Sequence, residues 1–138
     1  MTEEEAFVRA FVAPHQRQRY LAVLKTAHGR RTLINDLNHR IEPDRRYSRK
    51  LSSDEDHTDL IEAELRKLGA SSDCYVISGF PEIDAQTVQL RLALETVHAY
   101  GIGSLISCIA GRLGYLEAET RGFRWICYRA PPRRKAIR

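Results

Sequence analysis

The residues whose types suggest binding chemistry are arginines and lysines that recur in adjacent pairs along the chain. Cationic side chains on loops and helix ends can neutralise phosphates, and a tyrosine among them can stack on an unpaired base. A solvated charged surface and a surface for an acidic protein partner are the alternatives. The residues that we assign to a nucleic-acid-binding surface are Arg30, Arg31, Arg45, Arg46, Tyr47, Arg49, Lys50, Arg133, Arg134 and Lys135.

The charge of the chain is unevenly distributed. Residues 15–50 carry ten basic and three acidic side chains, a net charge of +7, and residues 129–138 carry five basic side chains and no acidic one. The segments between and before them are acidic, so the whole chain has a net charge of only +4 at pH 7. A single basic surface results if the C-terminal segment folds back onto the first basic block.

An acidic cluster offers a second kind of chemistry. Asp54, Glu55 and Asp56 precede His57 and Asp59, and these oxygen and imidazole ligands can hold a hard cation. In the enzyme alternative, a small hydrolase or nuclease, Asp54, Asp56 and His57 polarise a phosphate and activate water with a divalent cation. Successive residues at a helix start point in different directions, and the helix dipole alone favours carboxylates there. We therefore assign no metal ligand and no cofactor.

The remaining nucleophiles and bases do not form a recognisable catalytic pattern. None of the five histidines stands at a diagnostic spacing, and Ser107-Cys108 lacks a nucleophile elbow. We assign no catalytic residue, and the sequence favours a non-enzymatic binding or regulatory protein that contacts nucleic acid or an acidic partner through a basic surface.

The cysteines and the chain start bear on the compartment. Cys74, Cys108 and Cys127 are odd in number and widely separated, which predicts buried thiols in a reducing compartment, the cytoplasm. Met1 to Glu5 is acidic where a signal peptide is basic, and no apolar run approaches the roughly 18 residues of a membrane span. We expect no targeting segment and no membrane partner.

The elements that must position the basic residues begin with helices. Thr2 and Glu5 have the spacing of a capping box and predict a first helix that ends before Pro14. Pro14 suits the first turn of a second helix ending at Gly29, and Thr32 can cap a third that stops before Pro43. Residues 42–52 lose this period and predict a loop. Ser53 or Thr58 begins a fourth helix, which Gly69 ends.

The second half of the chain is richer in strand signals. Residues 74–77 and 104–109 predict strands on either side of a fifth helix that ends at Gly101, and this order predicts a right-handed parallel crossover. Residues 115–119 and 123–128 alternate apolar and polar side chains and predict hairpins. Together they predict a mixed sheet of about four strands with helices packed on one face, an α+β fold.

Chain length predicts one domain, since 138 residues fit a single core. We place the α+β domain at residues 1–128 and a basic, flexible tail at residues 129–138. In the last strand Phe123 and Trp125 face the core, and Arg124 and Tyr128 then face outward. An exposed sheet face of this kind predicts a third alternative, a protein-interaction subunit that forms a homodimer through its sheet.

Overall fold

The structure, a computed structural model, describes residues 1–120 and 122–132. Three of the residues predicted to bind nucleic acid, Arg133, Arg134 and Lys135, lie outside this range. The described elements are α1 (Glu3–Phe11), α2 (Pro14–Leu24), α3 (Gly29–Leu37), β1 (Ser48–Lys50), a short 3₁₀ helix (Ser53–Glu55), α4 (Thr58–Lys67), β2 (Asp73–Ser78), β3 (Thr87–Gln89), α5 (Leu90–Tyr100), β4 (Ser104–Ile109), β5 (Leu113–Glu117) and β6 (Arg124–Tyr128). No helix of the described ranges combines the length and the apolar character needed to cross a membrane.

The N-terminal helices form where their local signals predict them. Thr2 caps α1, because its hydroxyl accepts a hydrogen bond from the backbone N–H of Glu5 at 3.1 Å. Pro14 is the first residue of α2. Helix α3 begins at Gly29, three residues before the predicted cap at Thr32, and a Cβ atom at Gly29 would lie 1.9 Å from the carbonyl oxygen of Val23. A glycine at this position therefore lets α3 start in direct contact with α2.

The strands form one antiparallel sheet in the order β1-β6-β5-β4-β2-β3, which confirms the α+β class. The predicted parallel crossover is wrong, because β2 and β4 pair antiparallel, with Val76 opposite Ile106. The reason is β3, which runs back along β2 before α5 begins. Because β3 reverses the chain, α5 starts at the end of the sheet where β2 begins and leads back to the end where β2 finishes. From there β4 runs antiparallel to β2.

Helices cover both faces of the sheet, so the prediction that they pack on one face is also wrong. Ile77, Leu105, Leu116 and Trp125 pack in the core beneath α1, α2 and α3. Their neighbours in the strands point the other way, into a second core formed with α4 and α5, and these are Val76, Ile106, Tyr115 and Ile126. The central strands are apolar at successive positions because both of their faces are buried. The central strands are thus covered by helices on both faces, and the homodimer contact through the sheet stays a prediction.

The two edge strands, β1 and β3, account for the difference between six strands in the described chain and the four that were predicted. Each contains three residues, and the side chains of Arg49, Lys50, Thr87 and Gln89 are exposed. Such short polar segments carry no alternating apolar pattern, so residues 42–52 were predicted as a loop. β1 places part of the first basic block at one edge of the sheet.

Candidate functional site

Strand β1 carries the basic residues at the open edge of the sheet. Tyr47 O accepts a hydrogen bond from Tyr128 N at 2.7 Å, and Leu51 N donates to Arg124 O at 2.8 Å. The backbone groups of alternate residues therefore face β6, and those of Ser48 and Lys50 face the open edge. A short edge strand with charged side chains is unfavourable for pairing with another sheet. We therefore expect β1 to contact a ligand through its charged side chains and not through its backbone.

Five cationic side chains lie at this edge, and we call them the basic edge: Arg45, Arg46, Arg49, Lys50 and Arg129. The guanidinium of Arg45 lies 5.9 Å from the ring centroid of Trp125. Arg129 was not among the predicted residues, yet its guanidinium lies 3.6 Å from the ring centroid of Tyr47 and its Nε donates to Ala10 O at 3.0 Å. One face of Tyr47 is therefore already covered by a cation.

Carboxylates neutralise part of the basic edge. Asp44 is only 3% exposed and accepts hydrogen bonds from Arg46 at 2.8 Å and from Arg17 at 2.7 Å. The hydrogen bond from Arg46 is the largest of the causes that lower the pKa of Asp44.

Arg49 lies 2.6 Å from Glu55 and 3.9 Å from Glu64. Arg45 and Lys50 have no carboxylate within ion-pair distance in the described part of the chain. These two side chains can therefore bind a phosphate without first breaking an ion pair with a carboxylate.

Arg30 serves a different part of the fold. Its guanidinium donates to both oxygens of Asp84, at 2.5 and 2.7 Å, and to Glu4 at 2.7 Å, and the bonds to Asp84 contribute most to raising its pKa. Tyr75, on β2, also donates to Glu4. Because β2 lies four strand positions from β1, about 19 Å at the usual spacing, Arg30 is not brought to the basic edge. Arg31 follows it on α3 with an exposed side chain.

A groove lies beside the basic edge, between the sheet and α4, and we call it the α4 groove. It consists of two adjoining cavities of about 290 and 170 Å³, which share Arg49, Glu64 and Ile126 in their walls. The larger cavity is further lined by Arg46, Tyr47, Ser48, Leu68 and Tyr128. An apolar floor with aromatic walls and a charged rim is suited to a flat, polar-edged ligand.

A second group of interacting side chains, the ionic cluster, lies on the same side of the sheet. The imidazole of His98 lies between two carboxylates, with Nδ1 3.0 Å from Glu117 Oε1 and Nε2 3.1 Å from Asp56 Oδ1. Tyr115 donates to Glu117 at 2.8 Å, and Arg124 Nε lies 3.0 Å from the same oxygen. Glu117 is fully buried, and this burial raises the pKa of its carboxyl group against the opposing effects of these neighbours.

The ionic cluster borders a cleft. Asp56 and Arg124 line a cavity of about 230 Å³ together with Leu51, Ser52, Ser53 and Gly122. Asp56 Oδ1, Glu117 Oε2 and Arg124 Nε are buried without a well-aligned hydrogen bond to the described chain. Clusters of buried ionisable groups beside a cleft are typical of functional sites and also of structural ion networks.

The predicted set of Asp54, Asp56 and His57 is divided in the structure. Asp56 turns inward to His98, while Asp54 and His57 are exposed. No group of three or more His, Cys, Asp and Glu side chains suited to a metal ion occurs in residues 1–120 and 122–132. The sequence signal that could have located the ionic cluster is Glu117, a carboxylate at the end of a strand that is otherwise uncharged and fully buried.

The cysteines are free thiols, of which Cys74 and Cys127 are buried and Cys108 is half-buried. Burial raises the pKa of each thiol to about 12. At neutral pH the reactive thiolate is therefore scarce, and the thiols act as small apolar side chains.

The fold and the site define a class: a small α+β protein whose antiparallel sheet lies between two helical layers and ends in a basic edge strand. Comparisons of the chain with protein-family models, with curated proteins and with solved structures find no match.

Proposed function

We propose that this protein is a non-enzymatic binding or regulatory protein that contacts nucleic acid through the basic edge. The observation that carries the proposal is the convergence of Arg129 with residues 45–50, which are far apart in the sequence, at one exposed edge of the sheet. Cations arranged along an edge suit a ligand whose negative charges are regularly spaced, such as a phosphate backbone.

The ion pairs of the basic edge determine how each cation contributes. Arg45 and Lys50 are exposed and free of carboxylates among the described residues, so they gain a phosphate contact at no cost in existing ion pairs. Arg46 and Arg49 share their charge with Asp44 and Glu55. We therefore expect Arg45 and Lys50 to contribute more to affinity.

The test is binding of fluorescein-labelled RNA and DNA oligonucleotides between 50 and 200 mM salt, measured by anisotropy. Replacing Arg45 and Lys50 together with glutamine should weaken binding several-fold and reduce the slope of log affinity against log salt by about 2, one for each lost phosphate contact. The matched control replaces Lys25 and Arg31, two exposed cations that are not part of the basic edge. Equal losses in both double variants, or no binding at 50 mM salt, would contradict the proposal.

An acidic protein is an alternative ligand for the same edge, since its carboxylates meet the same cations. A competition experiment distinguishes a nucleic-acid ligand from an acidic protein. Poly-glutamate should displace a bound oligonucleotide only at a large excess if phosphates are the preferred partner, and at comparable concentration if carboxylates are.

A hydrolase is the second candidate function, and the ionic cluster is the observation that favours it. Asp56 lies at the wall of the cleft and His98 links it to the buried Glu117. In that role the Asp56 carboxylate takes a proton from a water molecule as the water oxygen bonds to the phosphorus of the substrate, and gives the proton to the leaving-group oxygen as the bond from that oxygen to phosphorus breaks. Saturable hydrolysis of bis-p-nitrophenyl phosphate that Asp56→Asn abolishes and Asp54→Asn retains would support it. Absence of turnover in the unmodified protein counts against it.

A further inference from the structure

We infer that the α4 groove receives an unpaired nucleobase, so that the protein selects single-stranded nucleic acid over duplex. This inference rests on the proposed binding at the basic edge and adds the class of ligand. It is carried by the position, the lining and the charges of the groove.

The position follows from the alternation of side chains along β1. Arg49 pairs with Ile126 and therefore lies on the α4 side of the sheet, whereas Lys50 pairs with Trp125 and lies on the opposite side. A phosphate backbone that follows the open edge thus passes directly beside the groove. A base on that backbone reaches the groove if it is turned inward and unpaired.

The lining suits a flat aromatic ring. Tyr128 stands in the wall of the larger cavity, where Leu68 and Ile126 supply apolar surface; Tyr47 also lines this cavity, although it packs against the core beneath α1 to α3. Tyr128 is half-buried, so its ring is held in place by the fold before any ligand binds. Bases stack on such rings with little sequence preference, because every base has a π-face.

The polar groups of the groove favour a base over a phosphate inside it. Glu64 lines both cavities, is 35% exposed and would repel a phosphate, but its carboxylate accepts hydrogen bonds from the amino group of cytosine or adenine. Arg46 and Arg49 lie at the rim and can meet base acceptors or the adjoining phosphates. The groove therefore matches a base whose phosphates remain at the edge.

A duplex lacks such a base. Its bases are paired and stacked, so only its phosphates can reach the protein, and extrusion of one base costs unstacking energy. We expect duplex to bind through the basic edge alone and single strands to bind through both the edge and the groove.

The experiment measures the affinity of labelled 12-nucleotide oligo(dC), of a 12-nucleotide abasic strand and of a 12-base-pair duplex. Tyr128→Leu keeps an apolar side chain but removes the ring, and it should weaken oligo(dC) binding at least about fivefold and leave duplex binding unchanged. Tyr128→Phe is the matched control and should bind all three as the unmodified protein does. Thermal unfolding of each variant establishes that the fold is kept.

The outcomes separate the inference from the proposed function. If abasic strand and oligo(dC) bind equally well, or if Tyr128→Leu weakens duplex and single strand alike, no base enters the groove and the inference fails while binding at the edge stands. If none of the three oligonucleotides binds at 50 mM salt, both fail. Glu64→Gln should further reduce the preference for oligo(dC) over oligo(dT), and an unchanged preference would remove Glu64 from the site.

Discussion

Nδ1 of His98, near the end of α5, lies 3.0 Å from a carboxylate oxygen of Glu117, which is fully buried in β5. The other ring nitrogen lies 3.1 Å from Asp56, in the segment between the 3₁₀ helix and α4. The imidazole therefore lies between two acidic side chains from different elements, both of which also approach Arg124.

The stability of the fold should depend on pH through Glu117. Burial raises the folded-state pKa of this carboxyl group above its ordinary value of 4.5. A raised pKa gives a contribution that is fully present below pH 4.5 and is lost as the pH rises through the raised value. We expect the free energy of unfolding of the unmodified protein, minus that of Glu117→Gln, to fall as the pH rises from 4 to 8.

Urea unfolding of both proteins across this range measures the difference. The subtraction removes the opposite contribution of Asp44, whose pKa is lowered mainly by its hydrogen bond from Arg46. A difference that stays flat or rises with pH would contradict a raised pKa for Glu117.

Loss of the His98 side chain should destabilise the fold. His98→Leu removes the imidazole that lies between Asp56 and Glu117 and replaces it with a side chain that cannot hydrogen-bond to either. We expect a loss of about 3 kcal/mol at pH 7, the usual cost of removing one partner from a buried ionic network. His39→Leu is the control, because His39 is 64% exposed and pairs with an exposed carboxylate. Chemical unfolding that shows equal small losses for both would mean that the cluster contributes nothing to stability.

Removal of a neighbouring negative charge should strengthen binding at the basic edge. Glu55 lies 2.6 Å from Arg49, and its Oε1 also accepts hydrogen bonds from the backbone N–H and the hydroxyl of Ser52. Glu55→Gln keeps a side-chain acceptor for the capping box and removes the competing charge. We expect oligonucleotide affinity to increase about threefold at 50 mM salt.

Glu82→Gln is the control for this change. Glu82 is exposed in the loop between β2 and β3, at the edge of the sheet opposite β1. Anisotropy titrations of the two variants test the expectation. The idea that Glu55 competes for Arg49 is untenable if both variants bind alike.

Local signals account for the parts of the fold that could be predicted. Thr2 caps a helix through its own hydroxyl, Pro14 begins the next, and Gly101 ends α5 in a left-handed conformation with φ of +59°. Each of these features depends on residues only a few positions apart. The strand pairing could not be predicted in the same way, because β1 and β3 are short and polar and their hydrogen bonds reach distant residues.

The same distinction applies to the candidate site. Residues 45–50 are neighbours in the sequence, so their shared charge was visible without the structure. The contact of Arg129 with Tyr47 joins residues 82 positions apart in the chain. The contact of His98 with Glu117 spans nineteen positions and depends on the packing of α5 on β5. Neither contact leaves a periodic pattern in the sequence.

Two positions with the same unusual backbone angle should respond oppositely to exchange of alanine and glycine. Ala85 and Gly101 both have φ of +59°, a left-handed conformation that costs an L-residue about 1 kcal/mol or more. Ala85→Gly should therefore raise the free energy of unfolding by up to about 1 kcal/mol, less the entropy that glycine adds to the unfolded chain. A Cβ atom at Gly101 would meet nothing within 4 Å, so Gly101→Ala should lower stability by about 1 kcal/mol through backbone strain alone. Urea unfolding of both variants at pH 7 measures the two changes, and changes of the same sign would show that packing at one of the turns outweighs its backbone conformation.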